Sequence, residues 1–282
     1  MINGNSGRKI RNKELREEKM ERKNVNFVKV FGFLICLFFT SCATAINFDT
    51  LRESIENNRV SELREILERD VVDINIKDPN GWTMLQSAAR YNSLDVAKLL
   101  IEKGADVNST DNDGVTPLMT ASIENFLDAA KLLIEKGADV NAKDNVGGSA
   151  LIQAAFWHSL DVTRLLIEKG ADVNAKTNTG ETALTLAFRK CNISSDSDIA
   201  RLLIEKGADI NAKNDKGETV LMSVVPCNSL AIARLLIERG ADLNAKTNYG
   251  GTALILALGA AKIFGHSEME EMISLLKKHG AK

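Results

Sequence analysis

The three His and four Cys are the side chains best suited to hold a metal or attack a carbonyl, and their spacing offers neither chemistry. No C-x-x-C pair occurs, and no His/Cys cluster has the ligand spacing of a zinc site. His158, His266 and His279 read as surface or turn residues, and no nucleophile, base and orienting carboxylate can be assembled from spacing. Neither G-x-x-x-x-G-K-S/T nor G-x-G-x-x-G is present, so no phosphate-cradling loop is legible. No catalysis, cofactor, metal or small-molecule substrate is therefore expected. What remains is recognition chemistry. The two Trp and two Tyr are Trp82, Trp157, Tyr91 and Tyr249, and large aromatics together with Arg are the usual anchors of an interface.

The charge distribution narrows the class of partner. Residues 1–29 carry nine Lys/Arg and four Glu, whereas the remainder carries 27 Lys/Arg against 34 Asp/Glu. An acidic body does not suit nucleic acid, which needs cations to neutralise phosphates.

The elements that must position these residues recur. The string "LLIEKGADVN" begins at Leu99, Leu132 and Leu165, returns as "LLIEKGADIN" at Leu202 and as "LLIERGADLN" at Leu235, and its Gly residues step by 33, 33, 37 and 33. A second string runs "NGWTML", "DGVTPL", "GGSAL", "TGETAL", "KGETVL", "YGGTAL" in the same register. Val96, Leu99 and Leu100 fall at i, i+3, i+4, the apolar face of a helix, and Gly104 follows as the residue that ends it. Thr83, Thr116, Ser149, Thr182, Thr219 and Thr252 stand where an N-cap hydroxyl would satisfy free amides of an earlier helix, with Pro117 at a first helical position. Ala88, Ala89, Ala121, Ala154 and Ala155 let that helix pack closely, and "ADVNAKDNVGG" reads as a turn or hairpin between units.

These motifs resemble ankyrin repeats over roughly residues 48–282. The resemblance implies an all-α fold, an α-solenoid of stacked helix-turn-helix units with hairpin-like connecting loops. It divides the chain into a cap at 48–77, units at 78–110, 111–143, 144–176, 177–213 and 214–246, and a C-terminal cap at 247–282 that ends polar. The His of the family's T-P-L-H signature is replaced by Gln86, Met119, Ile152, Thr185, Met222 and Ile255, which should alter bonding between neighbouring loops and leave the fold intact. One unit cannot bury its apolar face alone, so stability should come from interfaces between units.

The family binds proteins on the concave face built from hairpin tips and first helices. All four Trp and Tyr fall at positions that vary from unit to unit and that the resemblance places at this groove. The expected partner-binding residues are Trp82, Arg90, Tyr91, Phe156, Trp157, Arg189, Lys190 and Tyr249, with Trp82, Tyr91 and Trp157 forming one apolar patch. Four extra residues near "CNISSDSD" lie between the two helices of the 37-residue unit and read either as a tolerated loop insertion or as a partner-specific protrusion beside Arg189 and Lys190. Cys191 and Cys227 hold nearly matching positions in neighbouring units, about 8–10 Å apart in stacked helices. That exceeds the ~7 Å limit of a disulfide, so two free thiols are expected.

The segment 1–45 reads as a signal. The uncharged run from Val30 to Thr40 follows Lys29 and is about half the ~20 apolar residues a membrane-spanning helix needs. "FFTSC" resembles a bacterial lipoprotein signal in which Cys42 receives lipid, with Phe39 where that pattern prefers an aliphatic residue. Cleavage after Ala43-Thr44-Ala45 is the alternative. Met20 gives a shorter, more typical start. The reading as a whole is an exported, non-catalytic scaffold that binds a protein partner, anchored in the bacterial cell envelope through Cys42 or secreted. A structural spacer, or an enzyme whose site is not visible in sequence, stands as the alternative.

Overall fold

The computed structural model describes residues 48–70, 72–189, 193–264 and 266–282. The signal segment with Cys42 and Met20, and also Lys190 and Cys191, lie outside the described residues.

The described residues form fourteen helices and no strand. They come in pairs: α1 (Phe48–Glu56) with α2 (Val60–Arg69), α3 (Met84–Arg90) with α4 (Leu94–Glu102), α5 (Pro117–Ile123) with α6 (Leu127–Glu135), and α7 (Ala150–Phe156) with α8 (Leu160–Glu168). Then follow α9 (Ala183–Leu186) with α10 (Ile193–Glu205), α11 (Val220–Val224) with α12 (Leu230–Glu238), and α13 (Ala253–Phe264) with α14 (His266–Lys278). First helices stack on first helices and second on second, the all-α solenoid that the repeats imply.

From α1 to α9 the first helices touch one another more extensively than the second helices do. Ala88, Ala89, Ala121, Ala154 and Ala155 are the reason: all are buried, and their small side chains let neighbouring axes approach. The leucine pairs Leu99–Leu100, Leu132–Leu133 and Leu165–Leu166 are buried on the second helices. Each such Leu contributes about 2 kcal/mol of transfer free energy.

Five of the six expected N-caps form. Thr83, Thr116, Ser149, Thr182 and Thr252 accept hydrogen bonds from the amides of Gln86, Met119, Ile152, Thr185 and Ile255. Thr219 does not, and its buried hydroxyl has no hydrogen-bond partner. The Met222 amide bonds instead to the Thr219 carbonyl at 3.0 Å, a tighter opening turn that removes the donor the hydroxyl would have used.

Between units the chain closes a hairpin-like turn six times, with Asp78, Asp111, Asp144, Thr177, Asn214 or Thr247 at its base. Each base side chain accepts from the amides two and four residues on, as Asp78 Oδ1 does from Asn80 at 2.8 Å and Trp82 at 2.9 Å. Successive turns then join: the amides of Asn112, Asn145, Asn178, Asp215 and Asn248 donate to carbonyls of the preceding turn. A second ladder uses the Asn of "GAD-x-N". Asn141 Oδ1 accepts from the Asp172 amide at 2.8 Å while its Nδ2 donates to the Gly170 carbonyl at 3.2 Å. Asn108, Asn174, Asn211 and Asn244 bridge to the following unit in the same way. The signature substitutions act as expected: Gln86 Nε2 reaches the next turn at the Val115 carbonyl, 2.7 Å away, and the apolar Met119 and Ile152 have no amide with which to do so.

Two expectations are corrected. The four extra residues of the 37-residue unit are helix, not loop: α10 has 13 residues where α4, α6, α8 and α12 have 9. An insertion of one helical turn keeps the apolar face in phase, which is why the helix absorbs it. Cys227 is disulfide-bonded rather than free, and the other half of that bond lies outside the described residues. The expectation assumed helix-axis spacing. Cys227 instead follows a helix of only five residues, in a turn where its Sγ lies 3.2 Å from the Phe188 carbonyl oxygen of the preceding unit.

Candidate functional site

Trp82, Arg90 and Tyr91 converge on one cleft of about 200 Å³, lined also by Arg52, Asp78, Asn80 and Ser87. Three elements build it. The turn holds Trp82, whose amide is fixed to Asp78; α3 ends in Arg90 and Tyr91; and α1 supplies Arg52. The Arg90 guanidinium lies over the Trp82 ring, 5.2 Å from its centroid, a cation–π contact that holds the indole in place. Arg52 Nη2 meets Asp78 Oδ2 at 3.4 Å. Asp78 therefore has one oxygen on the turn amides and the other on a cation.

Tyr91 is 46% exposed. Burial of the rest of the ring, then the nearby Glu56 carboxylate and the hydrogen bond that the phenol donates to it, raise the Tyr91 hydroxyl above its ordinary value. The phenol is thus neutral, a donor at one end and a flat apolar surface at the other, which is the usual character of an interface anchor.

Phe156 and Arg189 meet at a second cleft of about 270 Å³, with Val146, Ile152, Leu186 and Glu181 in its wall. Glu181 is occupied within the fold: Oε1 accepts from Asn214 Nδ2 at 3.0 Å and Oε2 from Thr185 Oγ1 at 2.7 Å. Arg189 is exposed at the rim. Phe156 and Trp157 pack edge to face, with centroids 5.3 Å apart. The half-buried Phe156 supports Trp157, which is 46% exposed at the end of α7.

The single apolar patch expected of Trp82, Tyr91 and Trp157 is two places. Tyr91 and Trp157 both follow the last residue of a first helix, but in units two apart, a separation of about 20 Å at 8–10 Å per stacked helix. Tyr249, 94% exposed at the tip of its turn, joins neither cleft. Lys190 lies outside the described residues.

Arg52, Glu56 and Asp78 shape the first cleft and were not singled out in sequence. A signal existed for Asp78: it shares its register with Asp111, Asp144, Thr177, Asn214 and Thr247, all side chains with an oxygen that can accept from the turn amides. A second overlooked feature is the turn between paired helices, where Asn58, Asn92, Asn125 and Asn228 have φ between +48° and +57°, and His158 takes the same place at +62°. Asn tolerates the left-handed region better than most residues, which makes it the recurrent choice.

Among the described residues, no group of three His, Cys, Asp or Glu side chains is placed to hold a metal ion, and no helix is long and apolar enough to cross a membrane.

Comparison with known proteins agrees with the geometry. Family models for ankyrin repeats match residues 51–144 and 143–214 (three-copy model) and 203–257 (many-copy model). The chain is 47% identical over 49 residues to ankyrin repeat domain-containing protein 49 of Drosophila melanogaster, a stretch covering 17% of this chain and 23% of that protein. It therefore spans about a quarter of that relative's length.

Proposed function

The chain belongs to the ankyrin-repeat family, whose arrays are protein–protein interaction scaffolds, and from that premise we propose that it is an exported scaffold holding a protein partner at the ends of its first helices. The observation that carries this reading is the first cleft. Trp82 and Arg90 are locked against each other, Tyr91 presents a half-exposed neutral ring, and all three stand on helices and turns that the ladders make rigid. Aromatic and Arg anchors on a rigid frame lose little conformational entropy on binding. A passive spacer has no use for Tyr91 and Trp157 exposed at equivalent positions, and nothing in either cleft assembles a nucleophile with a base.

Export to the cell envelope draws on two features. The apolar run before Cys42 resembles a lipoprotein signal, with Cys42 the lipid acceptor. The disulfide at Cys227 belongs to an oxidising compartment, because cytosolic thiols are kept reduced.

The experiment is affinity capture from envelope extracts with the full chain and with Trp82→Ala/Tyr91→Ala. The account predicts partners lost from the variant while circular dichroism shows its helical fold retained. An identical captured set would overturn the assignment of the cleft. Cys42→Ser should release the protein from the membrane fraction, and unchanged fractionation would remove the lipid anchor.

A further inference from the structure

We propose that the ends of the first helices take an extended segment of the partner, wound as a polyproline-II helix, with an acidic residue at its first and tenth positions and aliphatic residues at its fourth and seventh. This inference rests on the reading of those helix ends as the face that holds a partner.

The repeat supplies a row of side chains. Arg90, Ile123, Phe156 and Arg189 each stand seven residues after the N-cap residue of their unit, at or just beyond the ends of α3, α5, α7 and α9. Stacked helix axes lie about 8–10 Å apart, which puts the two arginines about 24–30 Å apart with two apolar side chains between them. Arg90 and Arg189 are exposed, and among the described residues neither pairs with a carboxylate. Arg52 differs, since Asp49 and Asp78 both hold it. Arg90 is steadied by the Trp82 ring and still has N–H groups to give. The row therefore runs cation, apolar, apolar, cation, and its complement is acid, apolar, apolar, acid.

The spacing sets the conformation of the occupant. A polyproline-II chain rises about 3.1 Å per residue with three residues per turn, so every third side chain returns to the same side after about 9.3 Å. That step lies within the spacing of the units. A β-strand repeats its side at about 6.7 Å, and an α-helix brings back every seventh residue at about 10.5 Å; both fall out of step over four units.

The neighbouring row refines the pattern. Tyr91, Glu124 and Trp157 follow Arg90, Ile123 and Phe156 by one residue. The half-exposed Tyr91 and Trp157 offer flat faces for proline rings between the anchoring positions, as aromatic-lined grooves do for such segments. The exposed Glu124 stands beside Ile123, so a base fits directly after the first aliphatic residue. The seventh position has the deepest seat: the cleft of about 270 Å³ walled by Val146, Ile152, Phe156 and Leu186, with Arg189 at its edge. Its wall is open where Gly148 stands in the register of Trp82, Val115 and Glu181 and carries no side chain.

The test is fluorescence anisotropy of a labelled ten-residue peptide titrated with the full chain in detergent. The peptide has Glu at both ends, Leu at its fourth and seventh positions, Lys at its fifth and Pro elsewhere. As an α-helix it would be only about 15 Å long and could not reach both arginines. Wild type should bind it saturably. Arg90→Glu and Arg189→Glu should each weaken binding about tenfold or more, and the double variant should instead take a peptide whose two ends are Lys. Both positions are exposed, and circular dichroism checks that the variants stay folded. Equal affinity of wild type for the Glu-ended and Lys-ended peptides overturns the proposal, as does a double variant with no gain for the Lys-ended one. A wild type that ignores the Glu-ended peptide, while its capture of envelope partners still depends on Trp82 and Tyr91, sinks this inference and spares the proposed function. Loss of that dependence as well removes both.

Discussion

The units at 78–176 and those at 177–246 are built from one pattern, yet they do not hold together equally. In the first group the first helices have seven residues, each of those three helices has its N-cap bond made, and the turns at 111 and 144 send an Asn side chain back to the one before: Asn112 Nδ2 to the Pro79 carbonyl at 3.1 Å and Asn145 Nδ2 to the Asn112 carbonyl at 2.9 Å. In the second group α9 and α11 have four and five residues, Thr219 caps nothing, and Asp215 replaces the Asn that would reach the Asn178 carbonyl. The first helices also touch less there. Both clefts draw their aromatic residues from the better-knit half. The difference teaches that the array is graded: recognition groups stand where the frame is most fully bonded, since an anchor held by a loose frame would lose entropy each time it bound.

The sharpest way to break this comparison is at the turn glycines. A Cβ on Gly81 (φ +82°) would lie 2.5 Å from Asn112 Oδ1 and 2.6 Å from its amide nitrogen, whereas one on Gly180 would meet nothing nearer than 3.0 Å. Gly81→Ala should cost about 2–3 kcal/mol and Gly180→Ala about 1–2 kcal/mol, the latter mainly the left-handed backbone. Urea unfolding followed by circular dichroism reads both; equal losses would mean that the two halves are equally tight.

The caps come next. Thr116→Ala removes the acceptor for the Met119 amide and should cost about 1 kcal/mol. Thr219→Ala removes a hydroxyl that bonds to nothing and should be neutral within about 0.5 kcal/mol. A matched pair of melts compares them, and a large loss at Thr219 would contradict the account of its opening turn.

A substitution in the other direction repairs the weaker half. Asp215→Asn supplies the missing side-chain donor and should stabilise by about 0.5–1 kcal/mol, visible as a rise in melting temperature and in amide protection of the turn. Smallest of all is Arg90→Gln. It loses an exposed cation–π contact and should cost about 0.5 kcal/mol in stability while freeing the Trp82 ring, detected as increased indole mobility in fluorescence anisotropy.

How much of this was legible in the sequence follows from what repetition exposes. Five in-phase copies made the helix pairs, caps and turns plain, because each framework residue answers a local backbone need that recurs. The same comparison singled out Trp82, Tyr91 and Trp157 as departures from the frame. It could not divide them into two clefts, since that depends on distance along the stack. It also gave no warning of Arg52 and Glu56, which lie in the half-matching cap where the pattern fades. The insertion was misread as a loop because the extra residues are polar, though four residues are one helical turn and extend α10 without disturbing its apolar face. The disulfide escaped because axis-to-axis spacing describes helices, and Cys227 sits beyond the end of one.

The most direct test of the central claim is site-specific photo-crosslinking in cells, with the reactive group placed in turn at Tyr91 and Trp157 at the ends of first helices, and at Lys98 and Arg164 on second helices. The account predicts discrete crosslinked partners from Tyr91 and Trp157 and none from Lys98 or Arg164. Crosslinks confined to Lys98 and Arg164 would place recognition on the opposite face and contradict it.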